Sequence, residues 1–406
     1  MQQLTFLRQN ARWLVVPGLM TFGSGFGQTF FISLYAGEIR AEYALSHSAW
    51  SAYYASGTLA SALSMIVVGA AADRLAARRI TGFVITAFIL LCIAMAQLPG
   101  VWALPVVIFG LRFCGQGMMS MLSMVFAGRW FVASRGKVVA LASGGFSLAE
   151  SLLPVLFVFL MGAIGWRASW LVAAAMLVVL GAVLWPLMQR ERQPQANTGG
   201  KVLRQTGMND AHWTRRMMLG NWVFWVAFPA LLIQPMIGTT LFFQQVHMVD
   251  VKGWVLQDYA ALIPIYSITG LATIFAAGAL ADKIGVSRLL PFYLLPLVAC
   301  LVILSGANTL GQATLALIFL GVMQGAGGAI SGLFWPEYYG TRNLGAIRSV
   351  ATAAMVFASA LGPLASGIGL DAGITYDTQL LIMVAMTLIG AGLLGIVVLG
   401  TARARA

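Results

Sequence analysis

Two charged side chains, Arg112 and Glu150, lie deep inside otherwise apolar stretches of this 406-residue chain. An arginine keeps its proton and presents a planar fork that can hold a carboxylate through two parallel N–H···O bonds. A glutamate in an apolar setting is a group that can take up and release a proton near neutral pH. Charged residues at such depth are costly in lipid and are functional candidates by default. Arg112 stands about 16 residues, roughly 24 Å along a helix, from the basic end of its stretch. Glu150 stands about 14 residues, roughly 21 Å, from the basic end of its own. The agreement in depth leaves two readings. Arg112 grips an anion while Glu150 carries a proton, or the two form an ion pair that holds the bundle together.

Polar residues recur around them at spacings of three and four, which places them on single helix faces. Arg112, Gln116, Ser120 and Ser123 form one stripe, and Ser143, Ser147, Glu150 and Ser151 another. Others are Thr21, Ser24 and Gln28; Tyr54, Ser61 and Ser64; Gln234, Gly238 and Gln245; Tyr259, Tyr266 and Thr273; and Gln324, Gly328 and Ser331. Lining a wet central cavity, these stripes make Arg112, Gln116, Gln28, Tyr54, Gln234, Tyr266 and Gln324 the candidate substrate-binding residues, with Glu150 as the proton-coupling group.

The elements that must position these side chains are transmembrane helices. Hydrophobic residues make up 60% of the chain and charged residues only 9%, against about 25% charged in a typical soluble domain. This excludes an ordinary soluble enzyme or nucleic-acid binder. Twelve apolar runs lie near 12–36, 48–72, 79–98, 102–127, 136–160, 166–188, 217–245, 257–281, 288–307, 311–335, 344–369 and 376–400. The polar stretch 189–216 separates two groups of six. The expected organisation is a six-helix bundle over 1–188, a cytoplasmic linker over 189–216 and a second six-helix bundle over 217–406. The first run is too long for a signal-peptide core and belongs to the mature chain.

Twenty of the 24 basic residues fall in the two tails and in alternate loops. By the positive-inside rule those segments, including both termini, face the cytoplasm, so the protein is expected in the cytoplasmic membrane. The net charge of +12 then marks orientation and needs no nucleic-acid partner. Cys92, Cys114 and Cys300 are scattered through apolar runs, and the three histidines lie far apart. No disulfide, metal or cofactor is expected, and Met118, Met119, Met121 and Met124 read as packing. The segment His247, Asp250 and Lys252 reads as an ordinary solvated loop, and Glu337 is expected to pair with Arg342 or Arg348.

The chain also repeats itself. At a constant offset of 209, Gly69-Ala-Ala-Ala-Asp73-Arg74 matches Gly278-Ala-Leu-Ala-Asp282-Lys283, Arg79 matches Arg288, Gly136 matches Gly345 and Pro154 matches Pro363. Two parallel six-helix repeats are a transporter architecture, with the substrate near mid-membrane and the halves rocking around it. The loop after the second span, Gly69-x-x-x-Asp73-Arg74-x-Ala76-x-Arg78-Arg79, and its copy after the eighth, Gly278-x-x-x-Asp282-Lys283-x-Gly285-x-x-Arg288, resemble the signature of the major facilitator superfamily. Gly165-Trp166-Arg167 is similar to that family as well.

The resemblance implies an all-α fold of twelve helices in two pseudo-symmetric bundles and secondary transport by a monomer. It also implies a gate, in which Asp73 meets the helix start near Gly345, Asp282 meets the one near Gly136, and Arg74, Arg78, Arg79, Lys283 and Arg288 flank them. A helix N-terminus carries about half a positive charge, so such contacts bias an alternating-access equilibrium. Phe26-Gly27-Gln28-Thr29-Phe30-Phe31 and Ser48-Ala49-Trp50 resemble the monocarboxylate and oxalate–formate porter branch. The expected activity is proton-coupled transport of a small organic anion. The alternative is proton-driven export of a drug, metabolite or cationic or zwitterionic solute. The G-P-x-x-G-G motif of drug–proton antiporters is replaced here by Leu153-Pro154-Val155 after Glu150. No nucleophile–base pair, metal cluster or phosphate loop points to an enzyme.

Overall fold

The computed structural model describes residues 2–68, 76–131, 135–189 and 206–403. Asp73 and Arg74 of the first gating loop lie outside them. Among the described residues the regular structure is helical throughout. The chain divides into two compact units, Met1–Gly200 and Lys201–Ala406.

In the first unit the spans are α1 (Gln2–Ser24), α2 (His47–Val68), α3 (Ala77–Ala96), α4 (Leu104–Arg112, continued through Phe113–Met119 and Ser120–Trp130), α5 (Arg135–Ile164) and α6 (Trp166–Leu187). α1 packs chiefly on α5, α2 on α4, and α3 on α6. Gly165 joins α5 to α6 by itself, with φ at +82°, a conformation that favours glycine.

The second unit holds α7 (Trp222–Phe243), α8 (Ile263–Ile284), α9 (Leu295–Ser305), α10 (Leu310–Tyr339), α11 (Leu344–Asp371) and α12 (Tyr376–Arg403). Among its main packing pairs are α7 with α11, α8 with α10, and α9 with α12, and α9 also packs closely on α10. This is the pairing of the first unit shifted by six helices, so the duplication read from the loops extends to the packing of the spans. Small residues let the partners approach. A Cβ at Gly325 would fall 2.7 Å from Cβ of Thr273 on α8, and one at Gly362 would fall 2.6 Å from the Met236 carbonyl on α7.

Nine described helices are long and apolar enough to cross a membrane. The expected ninth span is interrupted. A short helix, Val286–Leu289, precedes turns over 290–294, and regular helix resumes only at Leu295. Pro291 and Pro296 account for this, since each lacks the amide proton that an unbroken helix would use. α10 opens on a capping box, in which Thr309 Oγ1 accepts from Gln312 N at 3.3 Å and Gln312 Oε1 accepts from Thr309 N at 3.2 Å.

The end of the expected linker is packed rather than free. Trp213 Nε1 donates to the Met208 carbonyl at 3.0 Å, Asn343 Nδ2 donates to the Trp213 carbonyl at 2.9 Å, and the Trp213 ring meets Tyr339 edge-on.

Candidate functional site

The first span is not one helix. α1 stops at Ser24, Gly25–Gly27 form a single tight turn, Gln28 is extended (φ −87°, ψ 158°), and helix resumes at Thr29. The sequence explains the break. Gly27 lies so close to α4 that a Cβ on it would fall 2.8 Å from Gly115 Cα, and one on Gly115 would fall 2.8 Å from Gly27 N. Irregular backbone at membrane depth is tolerated only where protein or a cavity supplies partners. Here α4 supplies one: Arg112 Nη1 donates to the Gly27 carbonyl at 3.3 Å and to Thr29 Oγ1 at 3.2 Å. Thr29 Oγ1 is in turn 2.5 Å from Tyr54 Oη on α2, and the Arg112 guanidinium lies 5.4 Å from the Tyr54 ring centroid.

α4 is irregular at the same place. Directly after Arg112, residues Phe113–Met119 form a π-helical stretch packed against the Gly25–Gly27 turn. Such wide turns occur mostly at functional sites. Arg112 is 1% exposed, yet its Nε and Nη2 have no hydrogen-bond partner among the described residues. These two atoms form one edge of the guanidinium, the edge that grips a carboxylate bidentately. A purely structural arginine at this depth would have its donors satisfied, because leaving a buried charge uncompensated costs several kcal/mol.

Glu150 is buried on α5, 7% exposed. Its neighbours Ala149 and Leu153 press on the same break: a Cβ at Gly25 would fall 2.8 Å from both. The helices that carry Arg112 and Glu150, α4 and α5, thus both pack on one kink. The direct ion pair is not formed, since the partners of Arg112 are Gly27, Thr29 and Tyr54.

Of the other expected residues in this unit, Gln28 is the extended residue of the break and is buried, and Gln116 lies partly exposed in the π-helical stretch. The polar stripes are not uniformly cavity lining. Thr21 Oγ1 donates to the Ala142 carbonyl at 2.6 Å, Ser24 Oγ to Thr21 at 2.6 Å, and Ser123 Oγ to Pro17 at 2.8 Å. Thr21 and Ser123 thereby tie α1 to α5 and α4, and Ser24 bonds within α1 itself.

In the second unit Gln234 and Gln324 come together across α7 and α10, Nε2 to Oε1 at 3.1 Å, beside Gly327. Tyr266 is buried against Phe242, ring centroids 5.2 Å apart. Each unit therefore gathers part of the expected set within itself.

The sequence profile of the Major Facilitator Superfamily matches residues 18–363. The chain belongs to the major facilitator superfamily. No curated protein matches it in sequence. Solved structures similar to it include a bacterial homologue of the human lysosomal transporter Spinster, 15% identical, covering 97% of this chain and 98% of that one with a TM-score of 0.75. The nucleoside transporter NupG is similar at 15% identity, 97% and 98% coverage and a TM-score of 0.69. At that identity the likeness shows the fold alone. This major facilitator chain is accordingly a multi-pass membrane transporter and not an enzyme.

The family's gating positions are partly visible. Gly136 and Gly345 are the second residues of α5 and α11. Asp282, Lys283 and Arg288 are exposed at the α8–α9 connection, and Arg78 and Arg79 open α3. Glu337 departs from expectation. It accepts from Ser287 Oγ at 2.9 Å and from Val286 N at 3.4 Å, capping the short helix Val286–Leu289 rather than pairing with Arg342 or Arg348.

Lys252 is not a solvated loop residue either. Its side chain is 7% exposed, 2.8 Å from Asp377 Oδ1 at the start of α12, and it donates to the Ser305 carbonyl at the end of α9. The first unit has a counterpart: Arg167 at the start of α6 pairs with Glu42 and donates to the Ala96 carbonyl at the end of α3. The Arg167 guanidinium, helped by a 3.0 Å bond from Trp166 Nε1, holds the Glu42 carboxyl below the usual carboxylate range.

Thr29 is the site residue that sequence reasoning missed. Its signal was its place directly after Gly25-Phe-Gly27-Gln28, where a broken helix leaves a carbonyl and a hydroxyl side by side.

Proposed function

We propose that this transporter carries a small organic anion of the monocarboxylate kind across the cytoplasmic membrane by alternating access, coupled to protons. The observation that carries the reading is the unsatisfied Nε–Nη2 edge of buried Arg112, a fork with the geometry of a carboxylate. Thr29, Tyr54 and the Gly27 carbonyl hold the other end of the guanidinium, so the fork is pre-aimed. Gln28 and Gln116 are the neutral hydrogen-bonding groups beside it. In the second unit Gln234, Gln324 and Tyr266 are proposed to complete recognition without adding charge. Glu150 is proposed to carry the coupling proton. Asp73 and Asp282, with the basic residues around them, are proposed to bias the equilibrium at the cytoplasmic ends.

Uptake into proteoliposomes tests this. The substrates are a panel of monocarboxylates, dicarboxylates, cations and nucleosides, with and without a pH gradient. Accumulation of a monocarboxylate, stimulated by an alkaline interior and lost in Glu150→Gln, is the expected result. Transport of cations or nucleosides alone would overturn it, as would full pH-driven uptake in Glu150→Gln.

A further inference from the structure

An open groove of about 780 Å³ runs between α3 and α6, apart from the Arg112 site. Ile85, Ile89, Val178 and Ala182 line it with apolar surface, and Phe83 and Trp185 line it while remaining 73% and 48% exposed. Gly82 and Gly181 help keep it open. A Cβ at Gly82 would fall 3.1 Å from the Trp185 ring, and one at Gly181 would fall 3.2 Å from Ile85. Such a groove on the outside of a membrane bundle is shaped for a hydrocarbon chain.

Its charged end is equally specific. Arg78 and Arg79, in the first turn of α3, line the groove, and among the described residues no carboxylate does. The Arg78 guanidinium lies over the Trp185 ring, 3.8 Å from its centroid, which fixes its position. Its Nε is buried and has no hydrogen-bond partner among the described residues. The N-terminus of α3 adds partial positive charge. The basic-residue bias assigns this end to the cytoplasm, whose leaflet carries anionic lipids that basic pockets attract.

We propose that the α3–α6 groove binds an anionic phospholipid, with an acyl chain along the apolar wall and the headgroup phosphate on Arg78 and Arg79. A zwitterionic lipid would leave the two guanidinium groups without a net counter-charge. A soluble anion would leave the apolar length unused. The site is independent of what the Arg112 pocket carries.

Native mass spectrometry of the purified full chain tests it, with phosphatidylglycerol and phosphatidylcholine of identical acyl chains supplied in equal amounts. Phosphatidylglycerol is expected to be retained about tenfold or more over phosphatidylcholine. Each of Arg78→Ala and Arg79→Ala is expected to lower that retention about fivefold. Arg216→Ala, which removes an equal charge from an exposed position, is expected to leave it unchanged. Gly181→Leu, which fills the groove without touching charge, is expected to abolish it, so one misfolded variant does not decide the matter. Equal retention of the two lipids overturns the proposal. So does unchanged phosphatidylglycerol retention in a monodisperse Arg78→Ala, Arg79→Ala double variant. Complete displacement by glycerol phosphate would show that the apolar wall plays no part, and overturns it too.

Discussion

The two units share a packing scheme but not a chemistry. Where the first buries Arg112, the residue 209 positions on is Gly321, whose Cβ would fall 2.9 Å from Cβ of Thr269 on α8. Where the first buries Glu150, the second has Ser359, whose hydroxyl bonds the Val356 carbonyl one turn back. α4 carries a π-helical stretch after Arg112, whereas α10 runs unbroken over Leu310–Tyr339. Duplication preserved pairings of helices; the buried charges and the irregular backbone beside them lie in one copy. The outer clasps show the converse. The carbonyls of Ala96 and Ser305, 209 residues apart, each accept from a basic side chain that also pairs with an acid, but the basic residue sits at the start of α6 in one unit and after α7 in the other. What stabilises the fold is conserved as geometry, with its charges exchanged.

This contrast can be broken most severely at Arg112. Arg112→Ala is expected to lower substrate affinity by about thirtyfold or more, since a desolvated charge pair loses roughly 2–5 kcal/mol when one partner is removed. In the mirror position, Gly321→Ala is expected to lower thermal stability with a much smaller effect on affinity, because the added methyl enters the α8–α10 contact at the Tyr266 carbonyl and Thr269. Comparing melting temperature and equilibrium binding in both variants separates the two outcomes.

Thr29→Val is next in size. It removes one of two hydrogen bonds that aim the guanidinium, worth about 1 kcal/mol or somewhat more, and about a tenfold loss of affinity is expected in the same binding measurement. Its counterpart Ser359→Ala removes only a local bond within its helix and should leave affinity unchanged while costing about 1 kcal/mol of stability or less.

The smallest effect belongs to the clasp. Because Arg167 depresses the pKa of Glu42 in the folded chain, that pair adds stability above the usual carboxylate range. The contribution is lost as pH falls through the folded value. Both side chains are more than one-third exposed, so screening keeps it slight. Glu42→Gln is expected to melt slightly lower at neutral pH and to converge with the parent chain in acid. A constant difference across that range would show that the ion pair contributes nothing.

Much of this was legible in the sequence. Apolar runs of membrane length, the offset of 209 and the bias in basic residues lead to twelve helices in two copies, because lipid leaves the backbone few alternatives. Arg112 and Glu150 stood out because charge in such runs is costly. The break at Gly25–Gln28 was not legible, since glycine-rich segments serve close helix packing as often as unwinding. Without the break, the carbonyl of Gly27 and the hydroxyl of Thr29 gave no sign of facing Arg112, and a direct pair with Glu150 seemed equally open. The polar stripes misled for a related reason: a serine or threonine spaced for a cavity face is also spaced to bond a neighbouring carbonyl, as Thr21 and Ser123 do.

The central claim is that one edge of Arg112 is the anion grip, and geometry rather than charge is its essence. Equilibrium binding of a radiolabelled monocarboxylate to the purified chain, compared with Arg112→Lys, tests it most directly. Lysine keeps the charge but has no fork. A loss of affinity of about tenfold or more in Arg112→Lys, with an unchanged melting temperature, is the predicted result. Unchanged affinity in Arg112→Lys, or in Arg112→Ala, would contradict it.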